Sequence, residues 1–74
     1  MNSDTLLDNI NYADNGSAII INLNSATIKV KRNNLGLIVK DDDETVYIHD
    51  KVNNKGYYIY SPSVEAIRVL GGRV

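Results

Sequence analysis

The 74-residue sequence contains no cysteine, no tryptophan and no phenylalanine, and it has a single histidine. Without cysteine no disulfide can form, and His49 alone cannot supply the roughly four nitrogen or sulfur ligands of a structural zinc site. A chain this short buries only about 60% of its unfolded surface on folding, and small domains often gain stability from disulfides, metals or self-association. We therefore predict one domain, residues 1–74, for which self-association is plausible.

The sequence also lacks a charge surplus and a long apolar segment. Eight Lys and Arg residues stand against nine Asp and Glu residues, so the basic excess typical of non-specific nucleic-acid binding is missing. No apolar run approaches the roughly 20 residues of a membrane span, and residues 1–15 lack the cationic start and apolar stretch of a signal peptide. We expect a cytoplasmic protein with no membrane partner.

Five short runs rich in Ile, Val and Tyr are separated by four clusters of turn-forming residues. The runs are residues 18–23, 26–32, 37–40, 45–49 and 57–60, and the clusters are residues 24–25, 33–36, 41–44 and 53–56. Asn, Asp, Gly and Ser tolerate positive φ or bond to their own backbone, which favours chain reversal. The spacing predicts a mostly β fold, a five-stranded antiparallel meander that forms either an open sheet or a small barrel.

The predicted hairpins place the apolar residues on one face of the sheet. The turn lengths pair Val30 with Val39, and they place Leu37 and then Ile59 opposite Ile48. The face that results contains Ile19, Ile21, Leu23, Ala26, Ile28, Val30, Leu37, Val39, Val46, Ile48, Tyr57 and Ile59. Because none of these residues is charged, we predict that this face forms the core.

The N-terminal segment is predicted to form a short helix that covers part of the core. Ser3 or Asp4 can serve as its N-cap, and Leu6, Leu7 and Ile10 share one side of the helix.

Residues 61–72 allow two predictions. Ser61 and Pro62 can begin a helix that Gly71 and Gly72 would end. Alternatively, Pro62 lies in one helical turn and a sixth short strand follows, because apolar residues alternate around Arg68. The first choice gives helices at both ends of an open sheet, and the second favours a small rolled barrel.

The opposite face of the predicted sheet is the candidate binding site. It contains Lys29, Lys31, Lys40, Tyr47, His49, Tyr58 and Tyr60. The predicted register places His49 opposite Tyr58 and Tyr47 opposite Tyr60. Rings beside lysines suit the bases and phosphates of a nucleic acid or nucleotide, and Tyr also offers a protein partner a large contact area. Tyr and Lys are equally common on the solvent side of antiparallel sheets, so an ordinary surface is the alternative.

Catalytic and metal-binding patterns are not found in the sequence. His49 is a possible base near neutral pH, but the predicted register places Tyr58 and no carboxylate beside it. No phosphate-binding Gly-rich loop or dinucleotide motif is present. Residues 41–44 are four consecutive acids, whereas a calcium loop alternates its ligands around a Gly, so we predict a solvated tip that can dock on a basic partner. We expect no enzyme activity and no cofactor.

The order of a short N-terminal helix followed by five strands resembles the layout of Sm-like and other SH3-like small barrels. Residues 57–69, YYIYSPSVEAIRV, resemble the tight turn and last strand of that layout. Rings of Sm-like subunits bind RNA, so the resemblance implies an oligomeric barrel with an RNA or nucleotide ligand. The Gly of the first Sm hairpin is replaced here by Ser25-Ala26, and the bacterial Tyr-Lys-His contact by Tyr60-Ser61-Pro62.

Small size, frequent Asn and the lack of catalytic groups also resemble the inhibitor proteins of phages and other mobile elements. Our leading prediction is a non-enzymatic protein-binding module, an inhibitor or small regulatory subunit, that acts by occupying a partner's surface. The alternative is a small oligomeric barrel that binds RNA or a nucleotide through the Tyr and Lys residues.

Overall fold

The computed structural model describes residues 1–71, which form one α-helix and six strands in two antiparallel sheets. The elements are α1 (Ser3–Asn11), β1 (Ala18–Leu23), β2 (Thr27–Lys31), β3 (Leu35–Lys40), β4 (Thr45–Asp50), β5 (Lys55–Tyr60) and β6 (Val64–Leu70). The first sheet has the order β2-β1-β6 and the second has the order β3-β4-β5. The predicted mostly β antiparallel class is confirmed. The single five-stranded meander is wrong, and within residues 1–71 the two sheets do not close into a barrel.

The meander is interrupted because a 3-10 turn, Arg32–Asn34, carries the chain from the first sheet to the second. The N–H of Arg32 donates to the carbonyl of Ser17 at 2.9 Å, which holds the start of the turn to the first sheet. The carbonyl of Asn34 accepts from the N–H of Lys51 at 2.9 Å, which holds its end to the second. The chain therefore crosses at a point where a reversal was predicted, and the predicted pairing of Val30 with Val39 is wrong.

A second 3-10 turn, Ser61–Ser63, returns the chain to the first sheet. The N–H and the hydroxyl of Ser61 both donate to the carbonyl of Glu44, and the N–H of Asn24 donates to the carbonyl of Ser63. Of the two predictions for this segment, the helical turn followed by a sixth strand is confirmed, although that strand completes an open sheet. Gly72, predicted as part of a helix end, lies outside the described residues.

The first hairpin has the predicted register. Ile19 pairs with Val30, and Ile21 pairs with Ile28. Strand β6 then pairs with the other edge of β1 and adds Ile67 opposite Ile21. These five side chains lie on the same side of the first sheet and line the core.

The β3–β4 register differs from the prediction by one residue between Leu37 and the hairpin turn, where the Asp41 N–H donates to the carbonyl of Thr45. A bulge between Leu35 and Leu37 ends this stretch, and Leu35 pairs with Asp50. A bulge adds one unpaired residue and reverses the side-chain alternation that follows it. Leu35 is therefore buried, and Ile38 pairs with Ile48. The predicted core positions of Leu37 and Val39 are wrong, since these side chains are 48% and 39% exposed.

The β4–β5 register differs by two residues, which preserves the face of each side chain. Ile48 pairs with Tyr57 and Tyr47 with Tyr58, so the predicted pairings of Ile48 with Ile59 and of His49 with Tyr58 are wrong. The cause is the turn, which spans residues 51–54 where a two-residue turn was predicted. In this turn Asn54 has a φ of 54°, a left-handed conformation that Asn tolerates better than most residues.

The core lies between the two sheets and α1. Its buried members are Leu6, Ile10, Ile19, Ile21, Val30, Leu35, Val46, Ile48 and Ile59. The predicted helix is confirmed, but its N-cap is Asn2, whose side chain accepts from the N–H of Thr5 at 2.9 Å. Ser3 is instead buried and donates its hydroxyl to the carbonyl of Asp42. Within residues 1–71 no helix is long and apolar enough to cross a membrane.

Candidate protein-interaction face

The solvent side of the second sheet carries a continuous set of aromatic and aliphatic side chains. The pairing of β3, β4 and β5 places Leu37, Val39, Tyr47, His49, Tyr58 and Tyr60 on this side, and we call these six residues the aromatic face. Tyr58 is 71% exposed and Tyr60 is 50% exposed. No Asp, Glu, Lys or Arg belongs to the set. Large apolar side chains grouped on a surface in this way are typical of binding sites.

Tyr47 occupies the centre of the aromatic face. Its ring centroid lies 4.7 Å from that of Tyr58, with the planes tilted by 48°. The ring also covers Gly56 on the neighbouring strand, where a Cβ would lie only 2.9 Å from Cε1 of Tyr47. Glycine removes the side chain that would push the ring away, and the ring in turn covers the exposed glycine backbone. The two contacts fix the orientation of Tyr47.

His49 lies at one end of the aromatic face. Its Nε2 is 3.3 Å from Oδ1 of Asn54, and its cross-strand neighbours are Leu37 and Gly56. None of these groups is a nucleophile or a carboxylate. The contact joins the histidine to the β4–β5 turn and gives it a structural partner.

The three predicted lysines lie on other surfaces. Lys29 and Lys31 pair with Ile20 and Ala18 of β1, on the solvent side of the first sheet. Lys40 has the opposite parity to Val39, and its Nζ lies 3.2 Å from a carboxylate oxygen of Asp4. The structure therefore brings Tyr47, His49, Tyr58 and Tyr60 together and places none of the predicted lysines among them.

The ion pairs of Lys40 hold α1 against the β3–β4 turn. The hydrogen bond and the charge of Asp4 raise the pKa of Lys40 above its ordinary value, and Asp43, at 3.6 Å, adds to the shift. The buried hydroxyl of Ser3 bonds to the same turn through the carbonyl of Asp42 at 2.9 Å. Lys40 thus contacts α1 and the turn, on the side of β3 opposite to the aromatic face.

The solvent side of the first sheet is basic. Ile20 lies between Lys29 and Arg68 on the two neighbouring strands, yet it is only 7% exposed. The aliphatic stems of long cationic side chains cover apolar surface while their charges remain in water. The sequence prediction missed Arg68 as a neighbour of Lys29, although its alternation with Ile67 and Val69 was the available signal.

Leu37 and Val39 were also missed as surface residues. The signal was Gly36, since a glycine inside a strand often marks a bulge. The prediction assigned Gly36 to a turn, residues 33–36, and began the strand at Leu37, so the predicted turn lengths placed both residues in the core.

The two ends of the aromatic face differ in charge. Asp41 is exposed at one end and lies an even number of residues from Leu37 and Val39 of β3. Its N–H donates to the carbonyl of Thr45. Lys51 is exposed at the other end, where its stem lies beside Gly36. An acidic end and a basic end thus flank an uncharged centre.

Two carboxylates shape the turns at these ends. Asp42 accepts from the N–H of Glu44 at 2.9 Å, and this bond lowers the pKa of Asp42. Asp50 is buried and accepts from the N–H groups of Val52 and Asn53 and from the Asn53 side chain. The backbone hydrogen bond from Asn53, followed by the bond from its side chain, lowers the pKa of Asp50.

Among residues 1–71 no group of three or more His, Cys, Asp or Glu side chains is arranged to hold a metal ion. Comparison with known proteins adds no assignment: no family model matches the chain, and neither a curated protein nor a solved structure is significantly similar to it.

Proposed function

We propose that this chain is a non-enzymatic protein-binding module, an inhibitor or small regulatory subunit, that binds its partner with the aromatic face. The observation that carries the proposal is the exposure of Leu37, Val39, Tyr58 and Tyr60 on one uncharged sheet surface, at 39% to 71% of each residue. A few aromatic side chains supply most of the binding free energy in protein interfaces, and Tyr does so with few rotatable bonds to fix.

The absence of cations from the aromatic face favours a protein partner over a nucleic acid. Phosphate groups require Lys or Arg near the stacked bases, and loss of these charges removes most of the affinity. Lys29 and Lys31 lie on the other sheet, and Lys40 is paired with Asp4. A surface of rings with no cation among them suits the apolar centre of a protein interface.

The surroundings of His49 support a role without catalysis. A general base needs a partner that reacts and a group that orients it, and the Nε2 of His49 faces the amide of Asn54 instead. As part of the proposal, the module acts in the cytoplasm, where a regulated protein would be its target.

A pair of tyrosine variants tests this proposal. Tyr58→Ser removes an exposed ring from the aromatic face, and Tyr12→Ser removes a ring that is 83% exposed beyond the end of α1. Tagged wild type and both variants are crosslinked in the cells that make the protein, and the captured proteins, including an untagged second copy, are quantified.

We expect the Tyr58 variant to capture at least about tenfold less of one protein than the wild type does, and the Tyr12 variant to capture as much as the wild type. Circular dichroism of the purified variants checks that both remain folded. Equal capture by all three proteins would overturn the proposal, and an excess of 260 nm absorbance lost only with Tyr58→Ser would favour a nucleic-acid ligand.

A further inference from the structure

We propose that the aromatic face binds a second copy of this chain in a two-fold symmetric dimer. The inference rests on the proposed function and names the partner of the same face. In the dimer the second sheets pack face to face, with the β4 strands of the two copies running in opposite directions. A target protein then competes with the second copy for the face.

The uncharged centre of the face offers a second copy an apolar surface like its own. In a dimer of this kind the same patch is used by both copies, so each residue meets its symmetry mate or exchanges partners with it. Tyr47 and Tyr58 lie at the middle of the face and contact each other, which places them at the symmetry axis. Aromatic rings fixed on strands are suited to such packing, because little side-chain entropy is lost on association.

The charges of Asp41 and Lys51, at the two ends of the aromatic face, favour one of the two possible orientations of the dimer. A face-to-face dimer has its axis in the interface, either along the strands or across them. An axis along the strands would bring Asp41 against Asp41, whereas an axis across them brings Asp41 of each copy towards Lys51 of the other. Like charges oppose association and opposite charges fix register, so the axis runs across the strands.

The size of the face predicts a dimer that dissociates readily. Strand geometry makes the face roughly 20 Å long and about 15 Å wide, so it covers on the order of 300 Å² per copy. Stable interfaces cover about 800 Å² per partner, and smaller ones are transient. We therefore expect a monomer–dimer equilibrium in the micromolar range, and not a permanent dimer.

Light scattering on the purified protein is the first measurement. The wild type is run from about 5 to 500 µM, a range that brackets a micromolar equilibrium, alongside Tyr58→Ser and the control Tyr12→Ser. We expect the mass of the wild type and the control to rise from monomer towards dimer, and the Tyr58 variant to shift the midpoint at least about tenfold higher. A wild type that stays monomeric at all concentrations overturns the dimer.

Charge reversal tests the orientation. Asp41→Lys places a lysine at both ends of the aromatic face, and Lys51→Glu places a carboxylate at both ends. We expect each variant alone to associate more weakly, a mixture of the two to form a mixed dimer, and the chain carrying both changes to recover wild-type association. Lys29→Glu, on the other sheet, changes the net charge by the same amount as Lys51→Glu and is the control for that variant. If neither the mixture of the two variants nor the doubly changed chain recovers association, the proposed orientation is overturned.

The outcomes separate this inference from the proposed function. If the purified protein is monomeric and crosslinked cells still show a different protein that requires Tyr58, the second copy is excluded and the protein-binding face stands. If no captured protein, including a second copy, depends on Tyr58, both proposals fail.

Discussion

Gly56 and Tyr47 form a matched pair on adjacent strands, in which the tyrosine ring occupies the space that a side chain at Gly56 would need. The pair connects the stability of the second sheet to the geometry of its solvent side. The same ring contacts Tyr58, so a change at Gly56 alters both the core sheet and the proposed interface.

We expect Gly56→Ala to destabilise the protein and disturb the aromatic face. The new Cβ would lie 2.9 Å from Cε1 of Tyr47, so the ring must move away from its contact with Tyr58. Overpacking of this kind costs about 1–3 kcal/mol, against a gain of about 0.4–1 kcal/mol from the lower chain entropy of Ala.

The matched control is Gly36→Ala. Its Cβ would meet the flexible Lys51 stem at 3.3 Å, which can shift at little cost. Urea unfolding monitored by circular dichroism measures both variants, and the Tyr fluorescence reports the ring environment. Equal unfolding free energies for the two variants would contradict the pairing of Tyr47 with Gly56.

The bulge in β3 makes opposite predictions for two leucines that are two residues apart. Leu35 is 6% exposed and lies in the core, so Leu35→Ala should lower the free energy of unfolding by about 2–5 kcal/mol. Leu37 is 48% exposed, so Leu37→Ala should change it by no more than about 0.5 kcal/mol. Urea unfolding midpoints measure both variants. A larger loss of stability from Leu37→Ala than from Leu35→Ala would contradict the bulge and favour the predicted register.

The bulge also explains how far the sequence alone leads. Alternation of apolar residues predicted the first hairpin correctly, because Ile19 and Ile21 meet Val30 and Ile28 across a short turn. It failed from Leu37 to Lys40, since one extra residue at the bulge changes the face of the side chains that follow it on β3.

The two crossings between the sheets were harder to predict for another reason. The Arg32–Asn34 turn is held by hydrogen bonds to Ser17 and Lys51, residues far away along the chain. Local turn propensity favoured a hairpin at these residues. The passage of the chain to the other sheet depends on the long-range backbone contacts. Of the candidate site, the tyrosines and His49 were correctly placed together because a difference of two residues keeps each side chain on its face. Lys40 was wrongly placed with them because the one-residue difference in β3 moves it to the other side of the sheet.

We expect the protein to lose stability in acid partly through Asp50. Hydrogen bonds from Asn53 and Val52 lower the pKa of this carboxyl in the folded state below its ordinary value of 3.8. The unfolded chain therefore binds the proton more readily, and the stabilisation is present above pH 3.8 and lost as the pH falls through the lowered pKa of the folded state. Urea midpoints measured between pH 7 and pH 2 report this loss.

Asp50→Asn provides the comparison, because its amide does not titrate. The variant should be less stable at pH 7 and should show a smaller decline below pH 4 than the wild type. A decline of the same size in both proteins would assign the acid sensitivity to other carboxylates.

Two neighbouring residues at the start of α1 make different kinds of contact, since Asn2 caps the helix locally and Ser3 bonds to a distant turn. Asn2 bonds to the N–H of Thr5 within its own helix, whereas the buried hydroxyl of Ser3 bonds to the carbonyl of Asp42 in the β3–β4 turn. Asn2→Ala should cost about 1 kcal/mol and leave the turn intact. Ser3→Ala should cost about 0.5–1.5 kcal/mol and also speed amide exchange at residues 41–45, because the helix loses a direct bond to that turn. Hydrogen exchange followed by NMR distinguishes the two. Unchanged exchange in the Ser3 variant would show that the ion pair between Lys40 and Asp4, with the bond from the Ser3 N–H to the carbonyl of Asp43, holds the helix to the turn without the hydroxyl.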